Sequence, residues 1–380
     1  MKLSKPKIGI ITFHCAENYG AFLQAYALQE WLTSHVKGNY VVKIVDYRPD
    51  FLFEPYRIRI HDRLSKCNSI GRKIKELLLL GIEVPHKLIR KRKFHDAWRL
   101  FNLTEEKSET GDFVLDDSYF AVLLGSDQIW NPNITKRLDP VYFGSVAGAD
   151  CRKIAYAASI GVSAYSDAER SELTPLLENL YAIGVREQAA VDILQPLCSR
   201  EVVVNADPTV LVDPKIWNDF LKPVKESNYI LVYQLQANSS IFKDAYKLAR
   251  ETGKSILHFG DPSIKPMFPD VKVKSLSYCG PREFVSYIRN ADLVLTNSFH
   301  ATCFSILLGT SFFTYLQESR SERIRGIAQV GDFCDRLVEF RDEIDFEKLD
   351  WSQLSSIRMI YDNLQELRKN SEQYLARQLS

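Results

Sequence analysis

Short apolar runs alternate with amphipathic stretches along nearly the whole chain, and this constrains the fold more than any other feature. In the first half the runs at 7–13, 41–45, 120–124, 154–158, 182–185 and 202–205 lack the in–out alternation of a half-exposed strand. Strands of that kind are buried on both faces, as in parallel sheets covered by helices on each side. Between the first two runs, residues 20–35 place Phe22, Leu23, Tyr26, Ala27, Leu28 and Leu32 at spacings near one helical turn, which predicts the first crossover helix. A second series follows Asp207 and Pro208. It has a helical linker at 217–221, strands at 229–234, 255–259, 292–296 and 311–316, and helices at 241–251, 281–289 and 301–308. The expected architecture is α/β, with two Rossmann-like, doubly wound parallel-sheet domains at 1–212 and 213–350. A charged segment from 351 to 380, helical in period, is expected to pack back across both.

Charge and cysteine usage narrow the function classes. The chain has 49 Lys plus Arg against 48 Asp plus Glu, for a net charge of +1. That balance argues against a dedicated nucleic-acid binder, which needs a basic excess on one face. The longest apolar run, 77–82, is far shorter than the ~18 to 20 residues of a membrane span. The apolar run at 8–13 leads to His14 and not to a small-residue cleavage site, so it is expected to be a core strand and no leader peptide. Seven scattered cysteines form no CxxC or Cys/His group, which predicts neither zinc nor a disulfide framework and suits a cytoplasmic setting. One segment departs from the average. Residues 57–99 hold 13 Lys plus Arg and 4 Asp plus Glu, including the run Arg90-Lys91-Arg92-Lys93. This insertion, at about 55–100, is either an attraction for an anionic membrane surface or a diphosphate-bearing lipid, or a solvated helical hairpin or subunit contact.

In open α/β sheets ligands bind beyond the carboxyl ends of the strands, so the polar residues after each apolar run are the candidates. After the first come His14, Asn18 and Tyr19 in a turn ending at Gly20, where the backbone N–H groups of a starting helix can hold an anion or a sugar hydroxyl. The turn lacks GxGxxG and GxxxxGK[ST], so neither a nicotinamide dinucleotide nor a P-loop triphosphate is supported. After the run at 120–124 come Asp127, able to accept from sugar hydroxyls, and Trp130, an apolar platform for a pyranose face; Asp127 serves equally as a helix cap. Arg186-Glu187 follows the run at 182–185, which suits either bidentate capture of a carboxylate or phosphate or a structural ion pair. The run at 292–296 ends in Asn297-Ser298-Phe299-His300 and a helix starts at once. That start sets His300 where a positive helix end favours anions and proton transfer. Arg320, Arg323 and Arg325 follow the last strand, and one of them is expected to reach the same anion.

Four blocks in this order resemble the polysaccharide pyruvyl transferase family: ITFHCAENYGAFLQAYALQ (11–29), LLGSDQIWN (123–131), IGVREQ with ADPTVLV (183–188 and 206–212), and TNSFHATCFSILLG (296–309). The resemblance implies a GT-B-like fold, two halves facing across a cleft. Its enzymes transfer the pyruvyl group of phosphoenolpyruvate to a sugar as a ketal, with release of phosphate; cell-envelope or capsular polysaccharide, or a lipid-linked precursor, is the implied acceptor. It implies donor contacts from Arg186, Phe299 and His300, with Asn297 and Ser298 in the same block and Arg323 as the chosen arginine. His14, Asn18, Tyr19 and Trp130 are expected on the acceptor side. An enol phosphate becomes electrophilic at C2 only when C3 is protonated, which makes His300 the expected acid and Asp127 or Glu187 the expected base. Phosphoenolpyruvate is a co-substrate, and no other cofactor and no metal is expected. A GT-B glycosyltransferase using a nucleotide sugar, or a non-catalytic sugar-binding homologue, is the alternative.

Overall fold

A computed structural model describes residues 5–36, 38–262, 267–318, 321–346 and 357–380. Among these residues thirteen strands form two sheets. The first holds β1 (Lys7–Ile11), β2 (Val41–Tyr47), β3 (Leu103–Ser108), β4 (Tyr119–Leu124), β5 (Arg152–Ala158), β6 (Ala182–Val185) and β7 (Val202–Val204). The second holds β8 (Tyr229–Tyr233), β9 (Ser255–His258), β10 (Val273–Ser275), β11 (Leu293–Thr296), β12 (Phe312–Tyr315) and β13 (Leu337–Val338). The first sheet runs β3-β2-β1-β4-β5-β6-β7 and the second β10-β9-β8-β11-β12-β13, and every described strand pair is parallel. Each chain path therefore reverses direction once, at β1/β4 and at β8/β11. These two switch points are where a doubly wound sheet opens a crevice, and the fold is a pair of Rossmann-like α/β domains of the GT-B kind.

The central strands are apolar because helices cover both faces: Ile8, Ile10 and Ile11 of β1 and Val294 and Leu295 of β11 have no solvent exposure. β3, β10 and β13 form sheet edges, and the apolar runs do not foretell them. β3 reads Leu-Thr-Glu-Glu-Lys-Ser, since an edge strand has a solvated side that tolerates charge. One apolar core passes through both domains, joining Phe22 and Leu28 of the helix Tyr19–His35 to Phe284, Phe304 and Trp217. The C-terminal helix Gln365–Leu379 returns to the first domain. Its Tyr374 hydroxyl donates to the Ala155 carbonyl, and the Ser371 hydroxyl accepts from the Ala206 N–H, both at 2.8 Å. Residues 351–356, at the head of the expected C-terminal helix, lie outside the described residues, as does Arg320.

The basic insertion is a helical hairpin, Ile60–Ser65 followed by the 29-residue helix Ile70–Trp98, which Ser69 caps through the Arg72 N–H. Its C-terminal half bridges the domains. Arg90 donates to the Glu17 carbonyl and lies over the Tyr19 ring, His86 meets the Ser277 hydroxyl at 2.8 Å, and Lys93 pairs with Glu283 at 2.8 Å. The run from Arg90 to Lys93 is thus in part an interdomain clamp and not a uniform surface charge. Among the described residues no helix is long and apolar enough to cross a membrane.

Candidate active site

β6 delivers Arg186 and the helix Phe299–Leu308 delivers His300 to the same point between the domains, and Asp207 receives both. Arg186 Nη1 donates to Asp207 Oδ2 at 2.8 Å, and His300 Nε2 stands 3.6 Å from the same oxygen. The Ser126 hydroxyl also reaches Oδ2, at 3.2 Å, while Oδ1 accepts from the Thr209 N–H and hydroxyl at 3.0 and 2.7 Å. Burial alone would push the Asp207 pKa up; contact with His300 and Arg186 outweighs it and holds the carboxyl well below the ordinary range. Asp207 is thus a charged anchor for both side chains. In sequence Asp207 opens the Asp-Pro-Thr part of the third block and carries no signal of its own as a site residue. Gln24, whose side chain links Thr12, Ala21 and the Ser126 N–H, likewise carries none.

The arginine keeps binding capacity in reserve. Its side chain is 2% exposed, yet Nε and Nη2 have no hydrogen-bond partner among the described residues. Nε is 3.9 Å from a Glu187 oxygen that is itself buried without a hydrogen bond. The guanidinium lies 4.8 Å over the Phe299 ring, and Arg323 approaches the same ring at 5.8 Å. Phe299 thus serves as a platform beneath two cations, an arrangement that keeps both aimed at one space. His300 Nε2 likewise has no hydrogen bond among the described residues. Its imidazole lies against Gly20, where a Cβ would collide with Nδ1, so the glycine is what lets the two helices approach. With Asn18 and Ser298 as their N-caps, the helices Tyr19–His35 and Phe299–Leu308 both begin here, adding partial positive charge.

The structure therefore brings together Arg186, Phe299, His300 and Arg323 from the donor set, with Asp127 close enough to Arg186 to act on it electrostatically. Arg325 pairs with Glu339 at 2.9 Å and lines the neighbouring cleft. Next to this group a cleft of about 770 Å³ runs between the domains, lined by Ile160 and Glu187 on one side and Gln317, Ser321 and Arg323 on the other.

Five expected site residues are committed elsewhere. Asn297 accepts from the Leu235 N–H and donates to the Gln236 carbonyl, both at 2.7 Å, and so braces the loop after β8. Ser298 spends its hydroxyl on the Ala301 N–H as a helix cap. Both thus fix the start of the helix that carries Phe299 and His300. His14 is buried, with Nε2 3.0 Å from Asp46. Tyr19 stacks on Phe284 at 4.4 Å and donates to the Cys279 carbonyl, an interdomain anchor with no face left for a sugar. Trp130 has no exposure, stacks on Phe143 at 5.1 Å and donates to the Tyr142 carbonyl at 3.0 Å. A polar turn and an indole after a strand look the same in sequence whether they face a ligand or the core, and in this structure these three face the core. Asn18 is the member of the acceptor set that stays half-exposed, its Oδ1 accepting from the Ala21 N–H at 3.2 Å.

A profile of the polysaccharide pyruvyl transferase family matches residues 18–317. A search of curated protein sequences finds no match. Among solved structures, UDP-GlcNAc 2-epimerase from Methanocaldococcus jannaschii is 14% identical over 95% of this chain and 94% of that one, with a TM-score of 0.43. The UDP-GlcNAc 2-epimerase from Neisseria meningitidis is 11% identical over 98% of each chain, with a TM-score of 0.45. The glycosyltransferase SnogD from Streptomyces nogalater is 10% identical over 99% of this chain and 100% of that one, at 0.46. Likeness at this level carries no conclusion about chemistry.

Proposed function

The chain belongs to the polysaccharide pyruvyl transferase family and is a transferase, and from that premise we propose that it moves the pyruvyl group of phosphoenolpyruvate onto a sugar of a cell-envelope or capsular polysaccharide, or onto its lipid-linked precursor, as a ketal with release of phosphate. The observation that carries the proposal is the buried Arg186 guanidinium with two uncommitted nitrogens, set between Phe299, Arg323 and His300. A small dianion or trianion suits such a site, because a buried cation gains more from an anionic ligand than from water.

In this proposal Arg186 and Arg323 hold the carboxylate and phosphate. His300 Nε2 delivers a proton to C3; the electron pair of the C2–C3 double bond forms the new C–H bond and C2 becomes electron-poor. A sugar hydroxyl oxygen bonds to C2 while its proton passes to Asp127. The C2–O bond to phosphate then breaks, a second hydroxyl takes its place, and its proton leaves with the phosphate. Asp207 takes no proton. Its role is to keep His300 and Arg186 oriented.

The test is phosphate release from phosphoenolpyruvate across a panel of saccharide acceptors. With the acceptor that supports turnover, His300→Ala is expected to lower kcat by ~100-fold or more while thermal unfolding is unchanged. Near-normal turnover by that variant would remove His300 from the chemistry.

A further inference from the structure

The hairpin over 60–98 turns an apolar stripe outward, which no described residue covers. Along the helix Ile70–Trp98 the buried residues Leu80, Phe94 and Ala97 face the body of the protein. On the opposite side, Ile70, Ile74, Leu77, Leu78 and Ile82 recur at three- and four-residue spacings, which places them in one row. Ile70 is 79% exposed and Leu78 67%. A contiguous row of large aliphatic side chains in water marks an interaction surface and is not ordinary surface scatter.

The charges around the stripe indicate what it meets. Arg63, from the preceding short helix, pairs with both Glu76 and Glu83, which removes two of the acids of the hairpin from play. Arg72, Lys73 and Lys75 stay exposed and make no ion pair among the described residues, and Lys91 and Arg92 do the same further along. A row of aliphatic groups rimmed by unpaired cations, on a helix held rigidly at its other end by Arg90, His86 and Lys93, matches an interfacial helix that sinks its apolar face among acyl chains while the cations meet anionic head groups. We propose that the outer face of the helix Ile70–Trp98 docks the protein on an anionic membrane surface. The docking stands independently of the proposed function.

Vesicle flotation of the full chain tests docking without any turnover. The wild type is expected to float with vesicles of phosphatidylcholine mixed with phosphatidylglycerol at low salt and to stay in solution with phosphatidylcholine alone. Leu77→Glu with Leu78→Glu is expected to weaken flotation roughly tenfold or more, and Lys73→Gln with Lys75→Gln to weaken it and flatten its salt dependence. Thermal unfolding should be unchanged in both, since all four side chains are exposed. A wild type that never floats with the anionic vesicles overturns the proposal. So does a wild type that light scattering finds dimeric while the double glutamate variant is monomeric, because a second copy of the chain then covers the stripe.

Discussion

A carboxylate removed from water is costly unless its lone pairs are used, and Asp207 meets that condition through Arg186, Ser126 and Thr209 while facing His300. Asp207→Asn keeps the shape and removes the charge, leaving Arg186 short of its counter-ion. Denaturant unfolding is expected to show a loss of roughly 3 kcal/mol, as for other buried pairs broken on one side. Gly20→Ala acts on the other partner: its Cβ would occupy the place of the His300 ring. Turnover should fall by about 10- to 100-fold with the melting temperature shifted by only a few degrees; unchanged kcat would mean that the imidazole position does not matter. Arg186 stood out in sequence because it directly follows an apolar run, and His300 because it opens the helix just beyond one. Asp207 was less so, since its meaning comes from two partners supplied by distant strands, and no local pattern records that.

At the level of elements, what could be read was whatever is covered on both sides. β4 and β8 are apolar throughout and β1, β5 and β11 over all but an end, and they stood out, whereas the edge strands β3, β10 and β13 are short or charged and did not. The long basic helix was legible as a compositional departure, but its division into an interdomain clamp and an outward stripe needed the third dimension. His258, at the end of β9, shows how one element carries a pH dependence. Burial lowers its imidazole to about 4, and Nδ1 accepts the Gly260 N–H at 3.2 Å, which requires the unprotonated nitrogen. In the unfolded chain histidine titrates near 6.5, so between these values the unfolded state binds more protons. The contribution is complete above about pH 6.5 and is lost as the pH falls toward 4, amounting to about 2 kcal/mol at pH 5. The stability difference between pH 7 and pH 5 should therefore shrink by about that amount in His258→Asn. An identical pH dependence in the two proteins would show that the buried histidine carries none of it.

Over the whole molecule, two sheets with the same order of strands set their switch points against each other. The residues after β6 and β11 meet there although they belong to different domains. Tyr19, in the aromatic stack with Phe284, and the returning helix Gln365–Leu379 hold that alignment. Under the proposed function this junction takes a small phosphorylated carboxylate and not a nucleotide. Calorimetric titration of the wild type with phosphoenolpyruvate and, separately, with a panel of nucleotide sugars tests it most directly, with Arg186→Ala alongside. Saturable binding of phosphoenolpyruvate that Arg186→Ala abolishes is the predicted result. Binding of a nucleotide sugar with none of phosphoenolpyruvate would contradict the account and assign the cleft to glycosyl transfer.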